Sequence, residues 1–260
     1  MKKSNLITLL SLILIIVAVV LFMSCGRSKV DIGTTATENS AKSSTVLLYD
    51  ESTEKSETTA KAKETAKAPV SDDMLFIGDS RTVGLMEYAE IENADFFCNV
   101  GMSVYNIQDK TVSVPNVGKV TLAQLLGGKK YGKIYIMLGI NEVGYELQSI
   151  VDKYSELIDF VKENQPDALI FIQGNLHVTQ SRSHSDKVVN NTAIDRLNAE
   201  LSKLADGKTT FYIDANKLFD DANGNLSADK SEDGTHLYAK YYNKWGKWII
   251  SQSASSSEEG

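Results

Sequence analysis

Cysteine, histidine and positive charge are all in short supply in this 260-residue chain. The two cysteines, Cys25 and Cys98, are too few for the disulfide framework of a small secreted scaffold. Cys98 falls in the apolar run Phe96-Phe97-Cys98-Asn99-Val100, where a thiol is expected to be buried and inert. The three histidines, His177, His184 and His236, have no second ligand at a metal-binding spacing, so neither a metal nor an organic cofactor is expected. Asp and Glu number 34 against 27 Lys and Arg, a net charge of −7, and no stretch concentrates the basic residues. A nucleic-acid partner needs such a basic footprint, so none is expected.

What the chain does have begins at its N-terminus. Met1-Lys2-Lys3 precedes an almost unbroken apolar run, Leu6–Met23, of eighteen residues. That is just long enough to span a bilayer, and the two lysines orient the remainder of the chain outside the cytoplasm. Ser24-Cys25-Gly26 resembles the lipobox of bacterial lipoproteins, in which a cysteine after a small residue is lipidated. Phe22 departs from that pattern, because an aliphatic residue is usual three places before the cysteine. Residues 1–25 therefore read as a lipoprotein signal with lipidation at Cys25, or as an uncleaved single-pass anchor. Both put the protein at the cell membrane on its extracytoplasmic face, and a fully secreted form would also lie outside the cytoplasm. Residues 26–69 are Ser, Thr, Ala, Lys and Glu with only Val46-Leu47-Leu48-Tyr49 to bury. This reads as a disordered spacer with a coil span of about 35–40 Å. The Ser/Glu-rich tail 253–260 reads as disordered too.

Between them, residues 70–252 are enough for one domain with a substantial core. Unalternated apolar runs at Met74–Ile77, Phe96–Val100, Ile134–Leu138, Ala168–Ile172 and Thr210–Ile213 predict five buried strands. Leu147, Ile150, Val151, Tyr154, Leu157, Ile158 and Val161 repeat at the spacing of one helix face, and so do Ile194, Leu197, Leu201 and Leu204 in a helix from about Lys187 to Ala205. A last helix carries Tyr238, Tyr241, Tyr242, Trp245, Trp248 and Ile249, a stripe whose helical spacing favours core packing over a sugar platform. Strands alternating with helices imply an α/β fold with a mainly parallel sheet covered on both faces. Between Met102 and Gly132, Val112–Gly118 reads as either a hairpin or a loop, and Leu122–Leu126 as a short helix.

In open α/β sheets ligands gather beyond the carboxyl ends of the strands. Those ends carry Gly78-Asp79-Ser80-Arg81, Gly101-Met102-Ser103, Gly139-Ile140-Asn141-Glu142, Gly174-Asn175-Leu176-His177 and Asp214-Ala215-Asn216. Ser80 stands on a strand-to-helix turn, where serine is either a helix cap or an outward nucleophile. A nucleophile needs a base and an orienting acid. Asp233-Gly234-Thr235-His236 lets a carboxylate reach one imidazole nitrogen and leaves the other free; His177 and His184 have no such neighbour.

Gly78-Asp79-Ser80, Gly101, Gly139-x-Asn141 and Asp233-x-x-His236, in that order on alternating β/α elements, resemble the SGNH (GDSL-type) hydrolases across essentially the whole domain. The resemblance implies a flavodoxin-like three-layer α/β/α sandwich and a Ser-His-Asp triad of Ser80, His236 and Asp233. It also implies an oxyanion hole made by the Ser80 and Gly101 backbone N–H groups and the Asn141 amide. Two residues depart from the family pattern, Arg81 where leucine is common and Glu142 where aspartate is usual. They are read either as cleft residues that touch substrate or as a structural pair; Tyr145 and His177 are candidate cleft walls. The expected activity is that of an extracytoplasmic serine esterase acting on small acyl groups, O-acetyl groups of cell-wall or other surface glycans. An O-acyltransferase on sugars and a non-catalytic glycan-binding module are the alternatives.

Overall fold

The computed structural model describes residues 71–255. The expected anchor with Cys25, the spacer and the last five residues of the tail lie outside them.

In chain order the described elements are β1 (Met74–Gly78), α1 (Ser80–Tyr88), β2 (Ala94–Cys98), β3 (Thr111–Val114), β4 (Gly118–Thr121), α2 (Leu122–Gly128) and β5 (Lys133–Met137). They continue with α3 (Leu147–Asn164), β6 (Leu169–Gln173), α4 (Gln180–Ser185), α5 (Asn191–Ser202), β7 (Thr210–Ile213), α6 (Asn216–Phe219) and α7 (Tyr242–Ser255). Five parallel strands form one sheet in the order β2-β1-β5-β6-β7, while β3 and β4 make a separate antiparallel hairpin. From β1 the chain goes to the β2 edge and then crosses to β5 on the other side, so the strand order reverses beside β1. A crevice opens at such a reversal, and it is where ligands bind in this architecture.

Alternation along each strand sends neighbouring residues to opposite faces. Leu75, Ile77, Ile134, Ile136, Ile170 and Ile172 pack with residues of α2, α3 and α5. Phe76, Phe96, Tyr135 and Phe171 pack on the other face with Leu85, Phe219, Trp245 and Ile249 of α1, α6 and α7. With both faces covered, the strands read in sequence as continuous apolar runs. One aromatic ring per strand makes a continuous stack across the whole sheet, Phe96, Phe76, Tyr135, Phe171 and Phe211, with centroids 4.6–5.4 Å apart. The register places each of these residues directly opposite the next.

The fold is the expected α/β sandwich, with local differences. β2 starts two residues earlier than expected and ends at Cys98. α5 starts at Asn191 and not near Lys187, because Asp186 Oδ1 accepts the Val188 and Val189 N–H groups (2.8 and 3.0 Å) and Asn190 caps the helix by accepting the Ala193 N–H at 3.0 Å. Thr111–Thr121 forms the hairpin, and a capping box between Thr121 and Gln124 starts α2. α7 runs to Ser255, past the boundary expected at Gln252; Ser253 is fully buried and its hydroxyl donates to the Ile250 carbonyl at 2.8 Å. Tyr242 and Trp245 are buried, which is the packing reading of the aromatic stripe. Among the described residues no helix is long and apolar enough to cross a membrane.

Candidate active site

The corner after β1 is built by two residues. Gly78 leaves no room for a side chain: a Cβ there would lie 2.7 Å from the Met137 carbonyl oxygen and would strike Thr82. Asp79 is the N-cap of α1, its Oδ1 accepting the Arg81 N–H at 2.9 Å. Ser80 is thus not the cap. It occupies the first helical position with its hydroxyl uncommitted to the backbone, and Oγ lies 2.8 Å from His236 Nε2.

His236 comes from the loop before α7. Its Nδ1 lies 2.6 Å from Asp233 Oδ2, and Asp233 Oδ1 accepts the backbone N–H groups of Thr235 and His236, each at 2.8 Å. Burial opposes ionisation of Asp233, but the hydrogen bonds from the His236 ring and from the two N–H groups outweigh it and hold the carboxyl well below its ordinary range. A carboxylate only accepts, so in the neutral ring Nδ1 carries the proton and Nε2 is left to accept from Ser80. The loop is pinned where Gly234, at φ +77, brings its carbonyl to the Thr179 N–H at 2.9 Å. A side chain at 234 would meet Thr179 Oγ1 at 2.6 Å.

Two more strand ends meet this corner. The Asn99 N–H donates to the Gly78 carbonyl at 3.2 Å, which holds the exit of β2 against that of β1. Gly101 follows in the left-handed region at φ +73, exposed. Asn141 donates one amide hydrogen to the Met102 carbonyl at 2.9 Å, leaving the second free. Gly139 must lack a side chain, since at φ +129 a Cβ would sit 2.6 Å from Leu197 Cδ2 and 2.9 Å from Asn175 Nδ2. That buried Asn175 amide, which had no distinct signal in the sequence, also donates to the Leu138 carbonyl at 3.0 Å and so fixes the β5 exit.

Three of the four expected cleft residues have other surroundings. Arg81 is 1 % exposed and lies beneath the histidine loop, donating from Nη2 to the Thr235 carbonyl at 3.3 Å. Burial lowers its pKa although Asp79, Tyr242 and Asp233 favour the charge. It ties the serine corner to the loop of the base and is not available to substrate. Glu142 is also 1 % exposed, and its Oε1 accepts the Val104 N–H at 2.8 Å, clamping the Asn141 loop to the Gly101 loop. Burial raises its pKa to about 7. Arg81 and Glu142 are not an ion pair either. Tyr145 is exposed.

His177 has both ring nitrogens held by carboxylates, Nδ1 by Asp220 and Nε2 by Asp195, each at 2.8 Å. Burial opposes its charge, but these two bonds outweigh it and raise the pKa to about 9. This imidazolium fastens the β6 exit to α5 and to the end of α6, and neither nitrogen is left for substrate. A pKa raised from 6.5 to about 9 contributes stability that is full below pH 6.5 and is lost as pH rises through 9, on the order of 3 kcal/mol for a side chain this enclosed. His177→Gln is therefore expected to be less stable than the wild type at pH 6.5, with the gap closing by pH 10, as read in urea titrations at the two pH values.

Among the described residues no three His, Cys, Asp or Glu side chains cluster as a metal site requires. The Ser80–His236–Asp233 chain of hydrogen bonds has the geometry to carry a proton away from a hydroxyl.

Comparison with known proteins bears on the fold and on the family. No curated protein matches the chain. Several solved structures share its fold. A GDSL-like lipase from Bacteroides thetaiotaomicron is 14% identical over 72% of this chain and 89% of its own (TM-score 0.54). An acetyl xylan esterase is 15% identical over 69% and 98% (TM-score 0.51). The C-terminal catalytic domain of a peptidoglycan O-acetyltransferase from Streptococcus pneumoniae is 11% identical over 73% and 97% (TM-score 0.52). At such identities the likeness speaks for the fold, a flavodoxin-like α/β/α sandwich. The sequence itself goes further: residues 76–244 match throughout, and the chain belongs to the GDSL-like lipase/acylhydrolase family.

Proposed function

We propose that this chain is an extracytoplasmic serine esterase that removes small acyl groups, O-acetyl above all, from cell-wall or other surface glycans. The observation that carries the catalytic reading is the unbroken contact of Ser80 Oγ with His236 Nε2 and of His236 Nδ1 with Asp233. Ser80 attacks the ester carbonyl while His236 takes its proton. The oxyanion accepts from the Ser80 and Gly101 N–H groups and from the free Asn141 amide hydrogen. Collapse expels the alcohol, which leaves with the proton from His236, and water repeats the steps to release the acid. Asp233 keeps the imidazole in the tautomer that can accept. No metal or organic cofactor enters the cycle.

The acyl and glycan parts draw support from two proteins of the same fold, which are by name an acetyl xylan esterase and a peptidoglycan O-acetyltransferase. The location draws support from Lys2-Lys3, the apolar run Leu6–Met23 and Cys25. Either lipid on Cys25 or an uncleaved anchor holds the chain at the outer face of the membrane, and residues 26–69 give the domain reach. Acetate release from O-acetylated xylan and O-acetylated peptidoglycan by the full chain is the test, and free acetate is expected from at least one. Acetyl transfer to added sugar with no free acetate would instead make it an acyltransferase, and binding without either reaction a glycan-binding module.

A further inference from the structure

An aromatic pair outside the hydrogen-bond relay stands on the same loops that carry Gly101 and Asn141. Tyr105 lies four residues beyond Gly101, and Tyr145 lies four beyond Asn141. Their rings meet at 5.3 Å with a 36° tilt, yet they remain 37% and 67% exposed. The pair is held upright, because Tyr105 Oη and Ser149 Oγ, in the first turn of α3, are 2.9 Å apart. The two loops are also stitched to each other. Asn141 reaches the Met102 carbonyl and the Val104 N–H reaches Glu142 Oε1, while within the Asn141 loop the Tyr145 N–H donates to the Glu142 carbonyl at 2.8 Å. The rings are thus fixed in relation to the groups proposed to hold the oxyanion, and they bridge the exits of β2 and β5 beside the end of β1.

Behind Tyr145 a cavity of about 300 Å³ opens between the start of α3 and α5. Val143, Leu147, Ile150 and Leu197 give it an apolar floor, and Arg196 and Glu146 stand in its wall. Glu146 is occupied as the cap of α3, accepting the Gln148 and Ser149 N–H groups at 3.0 and 2.7 Å. The exposed Arg196 guanidinium, by contrast, has no hydrogen-bond or ion-pair partner among the described residues. An acyl chain calls for an enclosed apolar tunnel; this hollow is open and carries a free planar donor at its edge. A sugar ring offers the complement, an apolar C–H face for an aromatic ring and hydroxyls for a guanidinium.

We propose that Tyr105, Tyr145 and Arg196 form the subsite for the sugar ring that bears the ester, with the ring stacked on Tyr145 and a sugar oxygen accepting from Arg196. This rests on the reading of Ser80 as the nucleophile of a glycan esterase. The alcohol portion then lies over the β5 side of the crevice, and specificity for the glycan resides in α5 and in the two loops that also supply the oxyanion donors.

The test uses the full chain with two esters, O-acetylated chito-oligosaccharide and p-nitrophenyl acetate, which lacks a sugar. In Tyr145→Ala and Arg196→Gln the ratio of kcat/KM on the first to kcat/KM on the second is expected to fall at least about tenfold, mainly through KM, by loss of one stacking or charged hydrogen-bond contact. Tyr145→Phe, which keeps the ring, is expected to hold that ratio within about twofold. An unchanged ratio in both disruptive variants overturns the subsite, as does a tenfold fall in Tyr145→Phe. Calorimetric titration with chitotetraose decides it independently of turnover: binding by the full chain that is lost in Tyr145→Ala supports the subsite, and no binding overturns it. Hydrolysis of both esters that persists in Ser80→Ala would instead sink the catalytic reading and leave the calorimetric result standing.

Discussion

Ser80→Ala should lower kcat for ester hydrolysis by about 10⁴-fold or more, with little change in stability. The first half follows from the contact of Oγ with His236, since among the described residues no other hydroxyl is paired with that ring. The second follows from the identity of the cap. Asp79, not Ser80, caps α1 by accepting the Arg81 N–H, and Ser80 is only half-buried, so deleting its oxygen strands no buried partner. His236→Ala should fall by a similar factor, and the double variant no further than the worse single one, because groups acting as one unit are not additive. Initial rates on p-nitrophenyl acetate beside urea titrations would measure both halves. A Ser80→Ala protein that retains a tenth of the wild-type rate would assign the chemistry to another group.

Gly78→Ala should be strongly destabilising, at about 3 kcal/mol or more, the upper end of overpacking. The clash with the Met137 carbonyl is with backbone of the neighbouring strand, and no rotamer change relieves it. Shifting β1 would move Asp79 and Ser80 with it, so the residual folded protein should also lose activity. The midpoint of urea unfolding and kcat on the soluble ester should fall together. A variant as stable as the wild type would mean that β1 and β5 are less tightly apposed at their carboxyl ends than the register indicates.

Much of this was legible in the sequence because it was written in local patterns. Five apolar runs gave five strands, and Asp233-x-x-His236 gave a carboxylate within reach of its own histidine, since both members share one loop. What escaped was set by direction and by distance along the chain. Arg81 follows Ser80 directly, but successive helical residues point about 100° apart, so the serine faces out and the arginine faces the floor of the histidine loop. Glu142 follows Asn141 in the same way and turns inward to Val104, 38 residues away in sequence. His177 finds its carboxylates 18 and 43 residues away, on α5 and at the end of α6, at positions no spacing rule connects. Tyr105 lies between Met102 and Val112, where the sequence marks no element. The buried polar contacts were hidden for one physical reason: each pairs a side chain with a group brought near only by tertiary packing.

The row of stacked rings across the sheet has a meaning for the site as well as for the core. A slip of one residue in β1, β5 or β6 would throw its ring to the opposite face and break contact with both neighbours, so the row acts as a vernier for these strands. Heights above it can then be counted. Ser80 is four residues beyond Phe76, Gly101 five beyond Phe96 and Asn141 six beyond Tyr135. The three groups proposed to surround the scissile carbonyl are levelled from a common datum on the far side of the sheet from α3 and α5, and a change in that row would be read out as misalignment of the chemistry.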